Sequence, residues 1–120
     1  MAVHAEVTEQ AFEVRLSGWD MIWSLSRRVS IPFDEITSAR VVPRRDAVKR
    51  LRWRLGGTAV PGLVTAGHYS IRGEDGRALA CIYRDREVLE VATTRWRPRL
   101  ILLQHPDRHD LAWFLGERIS

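Results

Sequence analysis

Only one cysteine, Cys81, occurs in the 120 residues. An intrachain disulfide framework is therefore excluded, and with it the class of small secreted domains that such bridges hold together. The thiol sits in LACIY, an apolar setting that suits a small buried side chain better than a reactive nucleophile. No apolar run approaches the roughly 20 residues needed to cross a bilayer. The first residues, MAVHAEVTEQAFEV, show no basic stretch followed by an apolar one, so no secretory leader is visible there. The expected location is cytoplasmic, with peripheral association at a membrane as the alternative. Lysine is nearly absent as well. Of the 19 basic residues only Lys49 is not arginine, a bias that by itself inflates arginine clusters.

What is present has the make-up of an ordinary globular protein, with 45% apolar and 28% charged residues. The length suits one domain over 1–120, with a core over about 12–119. The net charge of +4 is unevenly spread. Between positions 40 and 54 seven basic residues stand against Asp46 alone, so this short stretch carries +6 and the rest of the chain −2. A local basic patch of this kind can meet phosphate in lipid or nucleic acid. Solvated surface charge is the plainer reading.

In chain order, FEVRL (12–16) alternates apolar and charged residues, which is the period of a half-buried strand. Gly18 breaks it, and Trp19, Ile22 and Trp23 then share one face of a short helical turn over 19–25. A lid on the core is the expected role, and an interfacial anchor beside Arg27 and Arg28 is the alternative. Strands are expected at 28–31 and 36–42, each stopped by a proline, with a loop or single helical turn over 44–50. A strand at 51–55 puts Leu51, Trp53 and Leu55 on one face and Arg52 and Arg54 on the other. The segment rich in glycine that follows, with Gly56, Gly57, Pro61, Gly62 and Gly67, reads as a shaped loop. Further strands fall at 63–71 and 77–83, joined by a type I′ hairpin at Asp75-Gly76. Others fall at 88–92 and at 100–104, where LILLQ should be buried on both faces. Pro106 and Asp107 open a helix whose Leu111, Phe114, Leu115 and Ile119 form one apolar stripe.

The fold class is thus mainly β with one C-terminal α-helix. About seven antiparallel strands should form a small barrel or orthogonal sandwich capped by the helix. This arrangement is similar to the pleckstrin-homology-like fold, and the chain resembles a group of small bacterial proteins of that kind common in actinobacteria. The carrying residues are RRVSIPFDEITSARVVP (27–43), GGTAVPGLVTAGHYS (56–70), the strands around 79–83 and 88–92, and HPDRHDLAWFL (105–115). The most specific piece is Gly57-Thr58 with Pro61-Gly62, followed by Gly67. The resemblance implies a binding role and names no ligand. It does not carry over phosphoinositide recognition, because the basic loop used there lies between the first two strands, where this chain has residues 19–25.

Motifs for catalysis are lacking. His105 and His109 are four apart, but HPDRH has no glutamate between them and no third ligand is evident, so no metal is expected. His68 has no Ser or Cys in a nucleophile setting to serve. Gly56-Gly57-Thr58 lacks both the spacing and the lysine of a phosphate-binding loop. The expected function is therefore a binding module without enzymatic activity or cofactor. Its partner would be a protein or a second copy of the chain, met through exposed strand edges or the shaped loop. The alternative is an anionic surface, a membrane in preference to nucleic acid. Anion-binding candidates are Arg44, Arg45, Lys49, Arg50, Arg52 and Arg54, together with Arg95, Arg97 and Arg99. The triplet Arg-Trp-Arg occurs twice, at 52–54 and 95–97, and adjacency of the two segments would gather Arg52, Arg54, Arg95, Arg97 and the following Arg99 on one surface. Two strands with Trp inside and Arg outside explain the same spacing. Thr58, His68 and Tyr69 are the candidates for a small-ligand site at the mouth of the β structure.

Overall fold

A computed structural model describes residues 2–7, 11–17, 28–60, 64–82, 86–96 and 98–119. The turn expected over 19–25 lies outside them. Nine strands and two α-helices follow one another among the described residues. Strands β1 (Ala2–Val7), β2 (Ala11–Ser17) and β3 (Arg28–Pro32) form an antiparallel sheet in that order. A 3-10 turn, Phe33–Glu35, leads into β4 (Ile36–Pro43), which α1 (Arg44–Lys49) joins to β5 (Leu51–Val60). After β6 (Val64–Ile71) come β7 (Glu74–Ile82), β8 (Glu87–Thr93), β9 (Leu100–Leu103) and α2 (Arg108–Arg118).

The second sheet has six strands in the order β4-β8-β9-β7-β6-β5. Its pairs are antiparallel except β7 with β9, which run parallel. Two expectations are corrected here. The strands are not all antiparallel, because β9 enters between β7 and β8 after a connection over 94–99. Nor is there a closed barrel, because β4 and β5 end the sheet without pairing to each other. The sheet is nevertheless strongly curled. A flat six-stranded sheet would hold its outer strands about 24 Å apart, whereas the linking helix of six residues spans about 9 Å. The α1 helix touches β4, β8 and β5 together. Register shifts on β5 at 51–56 mark the irregularities that add local twist.

Two apolar clusters fill the faces of this sheet. One gathers Phe12, Val14 and Ile31 from the three-stranded sheet, Leu89, Ile101 and Leu103 from the six-stranded one, and Leu111 and Leu115 from α2. The other lies on the concave face, with Val42, Ala47, Leu51, Tyr69, Ile71, Ala80 and Leu102. Strand β9 separates them, so all four of its residues are buried, as its unbroken apolar run implied. The Cys81 side chain is buried.

Several local expectations are also revised. Strand β1 has no counterpart in the expected order, although Val3, Ala5 and Val7 alternate through it. Residues 56–60 continue β5 as a paired strand, Gly57 facing Gly67, where a shaped loop was expected. The hairpin turn is Arg72-Gly73, closed by the pairing of Ile71 with Glu74, and Asp75-Gly76 lies inside β7. Phe114 is 44% exposed instead of facing the core.

Candidate functional site

The concave face contains one acidic residue that its apolar neighbours do not explain. In VLEVA the side chains of Val88, Glu90 and Ala92 share a face of β8, and that face turns inward, so Glu90 is only 3% exposed. A buried carboxylate is tolerated when it is paired and hydrogen-bonded. Arg40, directly opposite Glu90 in the register of β4 with β8, donates to its Oε1 from Nε at 3.0 Å and from a terminal nitrogen at 3.0 Å. Arg50, at the end of α1, places a second guanidinium nitrogen 3.2 Å from the same oxygen. Its other terminal nitrogen lies 2.8 Å from Glu74 Oε2 at the start of β7. Arg50 thus bridges the two carboxylates and links the middle of β8 to the start of β7. Replacing Glu90 with alanine would leave a half-buried guanidinium with one partner fewer, at an expected cost of about 1–3 kcal/mol in urea unfolding.

Beside this bridge the curled sheet opens into a cleft of about 270 Å³. Arg50, Glu74 and Arg99 are its charged lining, Ala92 and Leu100 its apolar part, and Thr37, Thr93 and Thr94 its hydroxyl-bearing part. The connection over 94–99 is fastened so that Arg99 reaches it. Thr93 Oγ1 donates to the Pro98 carbonyl at 2.6 Å and accepts from the Arg95 amide at 3.0 Å. The Trp96 carbonyl accepts from the Arg77 amide at 2.8 Å, and the Arg99 amide donates to the Arg77 carbonyl at 2.7 Å. Gly76, at φ +102°, makes this approach possible: a Cβ there would stand 2.9 Å from the Trp96 carbonyl oxygen and 3.0 Å from Arg99 Cβ.

The candidates named from the sequence are dispersed by the fold. Arg45, Lys49 and Arg52 are exposed, Arg44 is half-buried, and Arg50 is engaged by Glu74 and Glu90. Arg95 is held by Glu35, with Nε and a terminal nitrogen each 3.0 Å from Oε2. The side chains of Trp53, Arg54 and Thr58, and all of Arg97, lie outside the described residues. The second Arg-Trp-Arg is not a strand with a buried indole: Trp96 is 50% exposed, under the Arg77 guanidinium at 4.5 Å. Neither triplet supplies a described cleft arginine: the two guanidinium groups lining the cleft are those of Arg50 and of Arg99, which follows the second triplet. His68 is half-buried and Tyr69 belongs to the concave core, and neither lines the cleft. His105 caps the approach to α2, its Nδ1 accepting from the Asp107 amide at 3.1 Å, while His109 lies 3.5 Å from Glu87. Among the described residues no three His, Cys, Asp or Glu side chains gather as a metal site. None of their helices is long and apolar enough to cross a membrane.

The acidic partners Glu35, Glu74 and Glu90 were not singled out from the sequence. Glu90 alone had a signal, a charge inside an apolar strand.

A second surface feature lies on α2. Leu111 and Leu115 are buried, whereas Asp110, Trp113, Phe114 and Glu117 are exposed along an outward stripe, with Arg118 exposed at its edge. Trp113 is 62% exposed and packs edge-on to Phe114 with ring centres 5.1 Å apart. Arg118 lies 5.7 Å from the ring centres of both Phe33 and Phe114. These features define a mainly β protein with a closing helix, a charged cleft and an aromatic helix face. No family model, no curated protein and no solved structure matches the chain.

Proposed function

We propose that the chain is a non-enzymatic binding module that associates with a second copy of itself through the outward stripe of α2. The observation that carries this reading is the exposure of Trp113 and Phe114 side by side on a helix already anchored by Leu111 and Leu115. Two aromatic rings in water are a large unburied apolar area, and aromatic residues dominate association energies. The flanking charges select the occupant. A two-fold interface must be complementary to itself. Antiparallel apposition of two α2 helices about Phe114 sets Asp110 of each copy opposite Arg118 of the other, so opposite charges meet twice.

Sedimentation of the full chain over a range of concentrations tests this. A monomer–dimer equilibrium is expected, weakened roughly 30-fold or more by Trp113→Ala. Asp110→Arg should also weaken it, and adding Arg118→Asp should restore it. A monomer at every concentration, or failure of the double exchange to restore association, would overturn the reading.

The pleckstrin-homology-like resemblance points to the same class of use. A β core with a C-terminal helix supports it, while the parallel β7–β9 pair and the open sheets depart from its barrel. A second reading rests on Arg45, Lys49 and Arg52, which are exposed close together in the chain and suit an anionic membrane better than nucleic acid. Binding to anionic but not neutral vesicles, lost with added salt and in an Arg45→Ala/Arg52→Ala variant, would favour it.

A further inference from the structure

We propose that the cleft at the open end of the curled sheet binds a small organic carboxylate, with the guanidinium of Arg99 as its counter-charge. Arg50 is compensated twice, by Glu74 at 2.8 Å and Glu90 at 3.2 Å. Arg99 is half-buried, and no carboxylate lies against it among the described residues. Its Nε is buried against Gly76 without a hydrogen-bond partner, which leaves the terminal nitrogens to meet a ligand. A guanidinium drawn partly out of water without an ion pair is an unfavourable arrangement that an anion in the cleft would relieve.

Size and surroundings restrict the anion. The cleft, about 270 Å³, lies just below the roughly 300–1,000 Å³ of ordinary small-molecule pockets. Ala92 and Leu100 give a short carbon chain an apolar surface, and the Thr37 hydroxyl is at hand for a further hydrogen bond. A phosphate dianion would have to sit beside Glu74, with Glu90 behind it. A single carboxylate matches one guanidinium, two oxygens against two N–H groups, with less repulsion from those acids. The fastening of the 94–99 connection to β7 keeps Arg99 in place before any ligand arrives, which lowers the ordering cost of binding.

The test is an amide NMR titration of the isotope-labelled full chain with acetate, propionate and lactate, against chloride and inorganic phosphate at constant ionic strength. Saturable shifts at Thr94, Arg99 and Leu100 are expected with the carboxylates and not with chloride. Arg99→Gln should weaken binding about tenfold or more, and Arg99→Lys should fall between it and the parent. Glu74→Gln removes a negative charge and releases one hold on Arg50, so it should tighten binding, a gain that damage to the fold cannot imitate. Carboxylate shifts no larger than those of chloride would overturn the proposal, as would unchanged affinity in a folded Arg99→Gln chain. Tighter binding of phosphate would overturn the carboxylate assignment. Should Arg99→Gln fail to fold, the absence of any gain in Glu74→Gln would decide against it. Sedimentation of the same variants keeps this site distinct from the α2 interface, since neither substitution touches α2.

Discussion

Leu115→Ala is expected to destabilise the protein by about 2–5 kcal/mol, whereas Phe114→Ala, one residue earlier, should cost roughly 0.5 kcal/mol or less. Leu115 is fully buried in the cluster that joins α2 to the β strands, a cluster that also holds Leu111, Leu103 and Leu89. Removing its side chain leaves a cavity that neighbours from three separate elements can only partly fill. Phe114 is 44% exposed and meets mainly Trp113 and Arg118. Urea unfolding at a dilution where only monomer is present would separate the two effects. Equal losses would mean that Phe114 reaches the core and that the aromatic stripe of α2 is not a surface. The contrast therefore bears on stability and on the proposed interface together. At higher concentration Phe114→Ala should reduce association while leaving the monomer's unfolding midpoint almost unchanged.

Gly76→Val should be as damaging, at about 2–6 kcal/mol, because two costs combine at one position. A β-branched residue at φ +102° is strained by roughly 1–3 kcal/mol. Its Cβ would also press on a backbone carbonyl, that of Trp96, and on Arg99, and overpacking of this kind adds about 1–3 kcal/mol. Gly73 is the matched control. It also has positive φ, +71°, but a Cβ there meets nothing within 4 Å. Gly73→Ala should therefore show only the backbone cost, about 1 kcal/mol. Against a total stability of about 5–15 kcal/mol for a domain of this size, the valine variant would unfold at a markedly lower urea midpoint. Because the displaced atoms belong to Trp96 and Arg99, it should also abolish carboxylate binding in the cleft, which Gly73→Ala should leave intact. Equal effects at the two glycines would show that the 94–99 connection does not depend on the missing side chain.

The strands at FEVRL and LILL and the start of α2 were legible in the sequence because their patterns are local. Alternation with period two and an unbroken apolar run between two cores need no distant partner to be recognised. Burial of Cys81 followed in the same way from its apolar neighbours. Other features depended on contacts between residues far apart in the chain. The i, i+3, i+4 spacing of Leu111, Phe114 and Leu115 could not say how wide a stripe the β structure would cover, and it covered Leu111, Leu115 and part of Ile119 while leaving Phe114 outside. Asp75-Gly76 had the composition of a hairpin turn, yet a glycine was needed there for the close approach of the connection over 94–99, and Arg72-Gly73 made the turn. The cleft followed the same rule. Arginine abundance was visible, but charge compensation depends on which carboxylates the sheet brings near. Glu90 lies 50 residues from Arg40, Glu74 lies 24 from Arg50, and Glu35 lies 60 from Arg95. From local pattern alone the chain determined its β character, the burial of its last strand and the presence of a closing helix. Only the tertiary structure decided the parallel insertion of β9, the curl imposed by the short α1 link and the isolation of Arg99, because strand order and ion pairing are set by distances in space that chain spacing does not encode.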